Sequence, residues 1–193
     1  KAVKFLEKLQ GSVETERLLL RRWRPGDFAD FQRMAMDREL MLAAGGEPAA
    51  DIGAARRRFR RAVQEGYAIT WKEGGKVLGH FQFARDLGRR NISSFIIGYW
   101  LEKPYWGQGI MTEALGAMVR HGFEKKKAEV LAIGHQVGNE GSRRVIEKCG
   151  FCYEGTRRRA LRRSDGAVFD DVCYSILREE YLADPGRYSG GMP

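Results

Sequence analysis

The stretch Trp106-Gly107-Gln108-Gly109-Ile110-Met111-Thr112 has the make-up of an anion-binding turn. Gly107 and Gly109 let the main chain pass close to a ligand. The spacing of Ile110, Ala114, Leu115, Met118 and Val119 predicts a helix starting directly after them. The first amides of a helix lack internal partners, and its dipole favours negative charge there. Ahead of the turn, Phe95-Ile96-Ile97-Gly98-Tyr99-Trp100-Leu101 is an apolar run rich in β-formers and reads as a buried strand, ended by Pro104. Strand, glycine turn and helix start in that order suit a phosphate; a tight connection with nothing bound is the plainer alternative. Two other phosphate loops are excluded. Thr112 stands where a dinucleotide fingerprint needs its third glycine, and no GxxxxGK[ST] run occurs in the chain.

Three ordered blocks carry a family resemblance. The first joins Ile97-Gly98-Tyr99-Trp100-Leu101 and Glu102 to Tyr105-Trp106-Gly107-Gln108-Gly109 and Thr112-Glu113-Ala114. The second is Asn139-Glu140-Gly141-Ser142-Arg143-Arg144-Val145-Ile146-Glu147-Lys148-Cys149-Gly150-Phe151. Glu154-Gly155-Thr156, Arg159-Ala160-Leu161-Arg162 and Tyr174-Ser175 make the third. From residue 15 or so to residue 181 the chain resembles the GNAT N-acetyltransferases, in particular the RimJ/RimL-type enzymes that acetylate N-terminal alanines of ribosomal proteins. The resemblance implies an α+β (α/β) GNAT fold. Its mixed, mostly antiparallel central sheet would have about six to seven strands, with about four helices on both faces.

It also implies a reaction: direct attack of an amine on the thioester of acetyl-CoA, with no metal. Backbone amides of Trp106, Gly107, Gln108, Gly109, Ile110, Met111 and Thr112 would hold the pyrophosphate. Trp106 is usual in this branch, whereas Met111 replaces a Gly or Ala and would narrow the site. Tyr99, Trp100 and Leu101 match the strand whose main chain pairs with the pantetheine arm, their side chains being core. Asn139 and Ser142 match positions facing the coenzyme. Many members protonate the leaving thiolate with a tyrosine where this chain has Ile146, so Ser142 is the implied general acid. The base stays open. Gly134 stands where many relatives carry a carboxylate, His135 and Gln136 flank it, and Glu102 is an alternative whose expected place is in solvent. An N-terminal amine has a pKa near 8, so water could also take the proton.

The bulk properties agree with such a protein. With 193 residues, 43% hydrophobic and 31% charged, the chain suits one soluble domain spanning 1–193, its core at about 15–181. No apolar run reaches the roughly 20 residues that cross a bilayer. Lys1 to Ser12 has no continuous apolar segment of the secretory type, so a cytoplasmic setting is expected. Net charge is +9, from 34 basic and 25 acidic side chains, which suits an anionic partner. Two runs concentrate it: Arg56-Arg57-Arg58-Phe59-Arg60-Arg61 and Arg157-Arg158-Arg159-Ala160-Leu161-Arg162-Arg163. Each is either a solvated face or a docking surface for the ribosome or RNA. Cys149-Gly150-Phe151-Cys152 is formally a CxxC, but a third cysteine and three scattered histidines supply no second ligand pair. Three acceptor readings follow: a protein N-terminus, a small amine or antibiotic, or an RNA-associated basic module with a degenerate coenzyme site. Monomer and homodimer both stay open.

The remaining elements are expected as follows. A strand over 16–23 leads to a helix capped by Asp27 and running through Met36. Residues 40–50 form a loop, which in this superfamily borders the acceptor, and Asp51 caps a helix to about Glu65. Residues 67–72 and 76–83 make a hairpin around Gly74-Gly75. The helix over 109–123 is followed by a strand over 129–137 and a short helix that Gly150 stops. Residues 153–162 and 167–177 form a closing hairpin, and a loose tail is expected over 184–193.

Overall fold

A computed structural model describes residues 11–188. The described part is built on an eight-stranded sheet in the order β1-β2-β3-β4-β5-β6-β8-β7. The strands are β1 (Val13–Glu14), β2 (Leu18–Arg22), β3 (Gly66–Trp71), β4 (Val77–Arg85), β5 (Ser94–Leu101), β6 (Val130–Gln136), β7 (Cys152–Arg162) and β8 (Val168–Leu177). Every neighbouring pair is antiparallel except β5 and β6. Two faces are covered, because side chains alternate along a strand. Tyr67 and Ile69 join one hydrophobic cluster, and the intervening Ala68 joins the other.

Six α-helices cover these faces: α1 (Phe28–Met36), α2 (Arg38–Ala43), α3 (Ile52–Glu65), α4 (Ile110–Glu124), α5 (Glu140–Lys148) and α6 (Arg178–Ala183). Helical spacing explains the packing of the longer ones. In α3, Ala55, Phe59 and Ala62 are buried one turn apart, and Asp51 caps the helix by accepting from Ala54 N at 2.6 Å. In α4 the stripe widens to Ile110, Met111, Ala114, Leu115, Met118, Val119 and Phe123, all buried between the sheet and the chain's end. No helix among the described residues is long and apolar enough to cross a membrane.

The fold matches the expected class, with one strand more and two helices more than anticipated. The extra strand is the two-residue β1. The extra helices, α2 and α6, are six residues each, too short to show a periodic stripe. Helix α2 occupies part of the stretch expected to be loop, and its cap is Asp37, which accepts from Leu40 N at 2.9 Å. Asp27 stands at the N-cap position of α1, but its side chain makes no capping bond to the helix. Its carboxylate accepts from Arg24 N and pairs with both Arg21 Nη atoms, at 2.7 and 3.0 Å. The tail is only partly as expected. Residues 185–188 form a 3₁₀ turn that buries Tyr188 against Tyr181, while 189–193 and 1–10 lie outside the described residues.

One tie links the sheet's first strands to the start of α4. Glu113 accepts from Thr15 Oγ1 at 2.5 Å, from Arg17 N at 2.9 Å and from Arg17 Nε at 2.7 Å. Arg17 Nη1 then reaches Gln108 O at 3.1 Å, so the glycine turn is clamped from below. These donors hold the Glu113 carboxyl below the usual carboxylate range, although burial opposes them. A depressed carboxyl stabilises the fold above its unfolded pKa, and that contribution is lost as pH falls through the folded value. Glu113→Ala should therefore cost about 1–2 kcal/mol in urea unfolding at pH 7. The gap between parent and variant should close below about pH 4. An unchanged midpoint at pH 7 would show that the tie does not hold the fold.

Candidate active site

The parallel ladder between β5 and β6 is short. It runs from Ser94↔Val130 to Ile97↔Ile133 and stops, although β5 continues to Leu101 and β6 to Gln136. Each strand keeps its outer partner. β4 follows β5 up to Gly79↔Leu101, and β8 follows β6 up to Gln136↔Asp171. The sheet therefore opens beyond Ile97 and Ile133, and the facing edges of Gly98–Leu101 and Gly134–Gln136 pair with no strand among the described residues, although Leu101 O and Gln136 O accept other bonds. Unpaired main-chain groups of this kind are binding groups for an extended chain of matching length.

The glycine turn lies at the end of β5. Gly107 and Gly109 have φ of 72° and 74°, the left-handed region that a side chain would strain. The first backbone bond of α4 runs from Glu113 N to Gly109 O at 3.0 Å, so the amides of Ile110, Met111 and Thr112 precede the helix's own bonding. A side chain at Gly107 would meet nothing within 4 Å, and at Gly109 only Arg17 Nη2 at 3.6 Å, so the outer side of the turn is open. Trp106 Nε1 donates to Leu101 O at 2.5 Å and Gln108 Nε2 to Pro104 O at 2.7 Å, which fixes the turn against the strand. Met111 does not narrow this surface. Its side chain is buried in the core behind the turn.

Beyond the opening sits α5. Asn139 Oδ1 accepts from Ser142 N at 3.1 Å and caps the helix, while its Nδ2 donates to Ala43 O at 2.8 Å. Ser142 is thereby set in the first turn, and its Oγ lies 2.8 Å from the Tyr99 hydroxyl. The sequence reading left the Tyr99 side chain to the core; the structure joins it to Ser142. Burial pushes the Tyr99 hydroxyl well above the ordinary tyrosine pKa, so it stays protonated. Ile146, one turn on, is fully buried.

The other face of the opening is bordered by α2 and the loop after it. Gln136 Nε2 reaches Leu42 O at 3.4 Å, and Glu47 accepts from Ser164 N at 2.7 Å. Trp100 projects into the aromatic cluster of Trp23, Phe31, Phe59 and His80, stacked on His80 at 4.1 Å between centroids. Trp100 Nε1 is buried without a partner, alone in that respect among the described residues. Burial lowers the His80 pKa to about 4. Its neutral ring accepts from Trp23 Nε1 at 3.0 Å on Nδ1, which leaves the proton on Nε2 for Gln82 at 3.3 Å.

The base candidates separate clearly. His135 is buried; Nδ1 donates to Gln136 O at 2.9 Å and Nε2 faces the Tyr174 hydroxyl at 3.3 Å, a structural placement. Glu102 is not a free solvent carboxylate: its side chain is 15% exposed and accepts from Arg33 Nε at 2.8 Å. The CxxC cysteines point apart. Cys149 is buried with its thiol pushed up to about 12, and Cys152 is exposed near Glu180. No group of three or more His, Cys, Asp or Glu side chains able to hold a metal is present among the described residues.

Residues 17–152 match the family model described as an acetyltransferase (GNAT) domain, and the chain belongs to that family. It is 41% identical over 85 residues to the YdaF protein of Bacillus subtilis, covering 44% of this chain and 46% of that one. Against the ribosomal-protein-serine acetyltransferase of Escherichia coli the identity is 36% over 112 residues, covering 56% and 60%. The chain thus spans about half the length of the curated relatives it matches. Among solved structures, a GNAT-family acetyltransferase from Bacillus anthracis superposes with a TM-score of 0.78 at 22% identity, covering 88% of this chain and 99% of that one.

The hydroxyl pair makes a test possible. Ser142→Ala should lower kcat for acetyl transfer by about 10- to 100-fold, the low end of general-acid effects. Tyr99→Phe should cost less, about 3- to 10-fold, because one hydroxyl remains. Acetyl-CoA affinity measured by calorimetry should move little in either variant. Turnover within twofold of the parent in Ser142→Ala would make this serine a helix-start residue only.

Proposed function

We propose that the chain transfers the acetyl group of acetyl-CoA to a primary amine, with the N-terminus of a ribosomal protein as the acceptor. The observation that carries this reading is the opening between β5 and β6 beside the glycine turn. An extended thioester arm fits the unpaired edge of Gly98–Leu101, and the turn amides from Trp106 to Thr112 suit the pyrophosphate at its far end. Tyr99, Trp100 and Leu101 then contribute main-chain groups, and Asn139 positions Ser142 for the sulfur. Acetyl-CoA supplies the activated acyl carbon; the protein orients the amine, excludes water and manages protons. The name of the Escherichia coli relative supports a ribosomal acceptor. A cytoplasmic setting follows from that acceptor.

The test is acetyl-CoA with a panel of acceptors, reading released thiol. The panel holds short peptides beginning with alanine or serine, spermidine and an aminoglycoside. The peptides should give the highest kcat/KM, and a preference for spermidine or the aminoglycoside would assign the small-amine reading instead. Gly109→Glu should weaken acetyl-CoA binding more than tenfold, through strain and added like charge. Unchanged affinity in that variant would place the coenzyme elsewhere.

The arginine runs differ in what they offer. On α3, Arg57, Arg60 and Arg61 are exposed opposite the buried Ala55, Phe59 and Ala62, a cationic surface that would suit ribosomal RNA. In the second run Arg157 pairs with Asp171 and Arg163 with Asp165, so those charges are partly spent within the hairpin. Replacing Arg57, Arg60 and Arg61 by Gln should weaken binding to purified ribosomes and reduce its salt dependence. Turnover of a short peptide should hold. Equal loss on the peptide, or ribosome binding that does not change, would remove the docking role.

A further inference from the structure

The opening has hydroxyls on one face, and the reaction also needs a group that takes a proton from the attacking amine. We propose that Asp171 is the acceptor-amine residue: its carboxylate binds the incoming amine and takes its proton. This rests on the acetyltransferase reading above. Beyond Ile97↔Ile133, the next positions on the two parting strands are Gly98 and Gly134. Both lack side chains, and the space a Cβ would take is approached by Gln82 at Gly98 and by Asp171 at Gly134. A methyl group on Gly134 would come within 2.7 Å of Asp171 Oδ1 and 3.2 Å of its Cγ and Oδ2. The carboxylate of Asp171 therefore fills the space above Gly134, although it is borne by β8 and lies opposite Gln136.

Its face is the right one. Gly134 and Gln136 share a face of β6, and Gln136 contacts Leu42 at the end of α2, while Ile133 and His135 point toward α4 and α5. Ser142 and Tyr99 meet on the α5 side. Asp171 and the hydroxyl pair thus stand on opposite faces of one opening, as a transfer between two substrates requires. The groups facing Asp171 are Arg157 from β7 and Cys173 from its own strand, whose Sγ is 3.7 Å from Oδ2. A purely structural ion pair is the competing account. The Arg157 side chain is 70% exposed, and a pair so open to water contributes little. That guanidinium can swing away as a cationic amine arrives and takes its place.

The step balances as follows. The neutral amine nitrogen attacks the thioester carbonyl carbon, and a C–N bond forms. The C–S bond breaks, with its electron pair leaving on sulfur; the Ser142 hydroxyl hydrogen-bonds that sulfur, which takes its proton from water. The nitrogen gives one proton to the Asp171 carboxylate, which passes it to water. A carboxylate also draws a protonated amine into the opening before it loses its first proton.

The test uses the full chain, acetyl-CoA and the best peptide of the panel above. Asp171→Asn should lower kcat/KM for the peptide about 100-fold and leave acetyl-CoA affinity unchanged. Its rate should then follow the free-amine fraction and rise with pH toward about 8, whereas the parent should reach its plateau at lower pH. Asp171→Glu should restore part of the activity. Gly134→Ala, which keeps Asp171 but displaces its carboxylate, should lose activity comparably and guards against misfolding of the first variant. Arg157→Ala should keep at least parental turnover. An Asp171→Asn enzyme within twofold of the parent, with a superimposable pH profile, overturns the assignment alone. A parent that binds acetyl-CoA but acetylates no amine of the panel overturns the transferase reading, and this assignment with it.

Discussion

The organising constraint is that two parallel neighbours must stay together at one end and apart at the other. A ladder that simply stopped would leave strand edges to close up or pair elsewhere. Here each strand is held by its outer neighbour for its full length. β5 is registered on β4 to Leu101, and Glu102 N extends the pairing to Leu78 O at 2.9 Å. β6 is registered on β8 through Gln136. The inner edges are therefore kept separate by bonds made on the outside of each strand. The opening can be rigid and still have unpaired groups, which is what a site needs if binding is not to cost a large ordering entropy.

The same logic extends to the elements at either end. The turn from β5 to α4 has to hold its amides outward, and Glu113 does this from the inside by tying α4 to Thr15 and Arg17. Arg17 in turn holds Gln108 O. At the other end Asn139 is shared between the α5 cap and the chain leaving α2. One amide side chain thereby links the first turn of α5, where Ser142 stands, to the end of α2. Neither tie lies in the opening itself. Loss of either would act through position, with the chemical groups still present.

How much of this was readable in the sequence depended on whether the signal was local. The glycine turn, α4 and the strand before it follow from neighbours along the chain: two glycines, an apolar run and helical spacing. Ser142 comes from the resemblance, whose N-x-x-S pattern Asn139-Glu140-Gly141-Ser142 fits. Tyr99 was missed as a side-chain participant, since its partner is 43 residues away and its strand is uniformly apolar. Glu113 and Arg17, 96 residues apart, were missed for the same reason. Asp171 gave no signal either; its place is apparent only when β8 is laid beside β6 and Gly134 is seen to be bare. Helix α2 reads as loop because six residues cannot show a period, and the bonds that Asp27 makes to Arg21 instead of to α1 join it to a separate strand.

Under the proposed reaction, the hydroxyl pair stands in for the tyrosine that Ile146 replaces. Ile146 cannot donate a hydrogen bond, yet a tyrosine hydroxyl still reaches the site from β5, on the opposite wall, and it does so through Ser142. With its pKa pushed upward, Tyr99 is a donor at any working pH and no source of a free proton. Donation from Tyr99 to Ser142 Oγ leaves the serine proton free to point at a third atom, and polarises that O–H bond. A serine alone is a weak acid, but a thiolate of pKa near 8.5 asks for little help in leaving. Under the proposed reaction, two neutral hydroxyls in series would suit that demand by hydrogen-bonding the charge on sulfur without carrying it. If Tyr99 donates to Ser142 Oγ, the serine proton is left for an atom in the opening between β5 and β6.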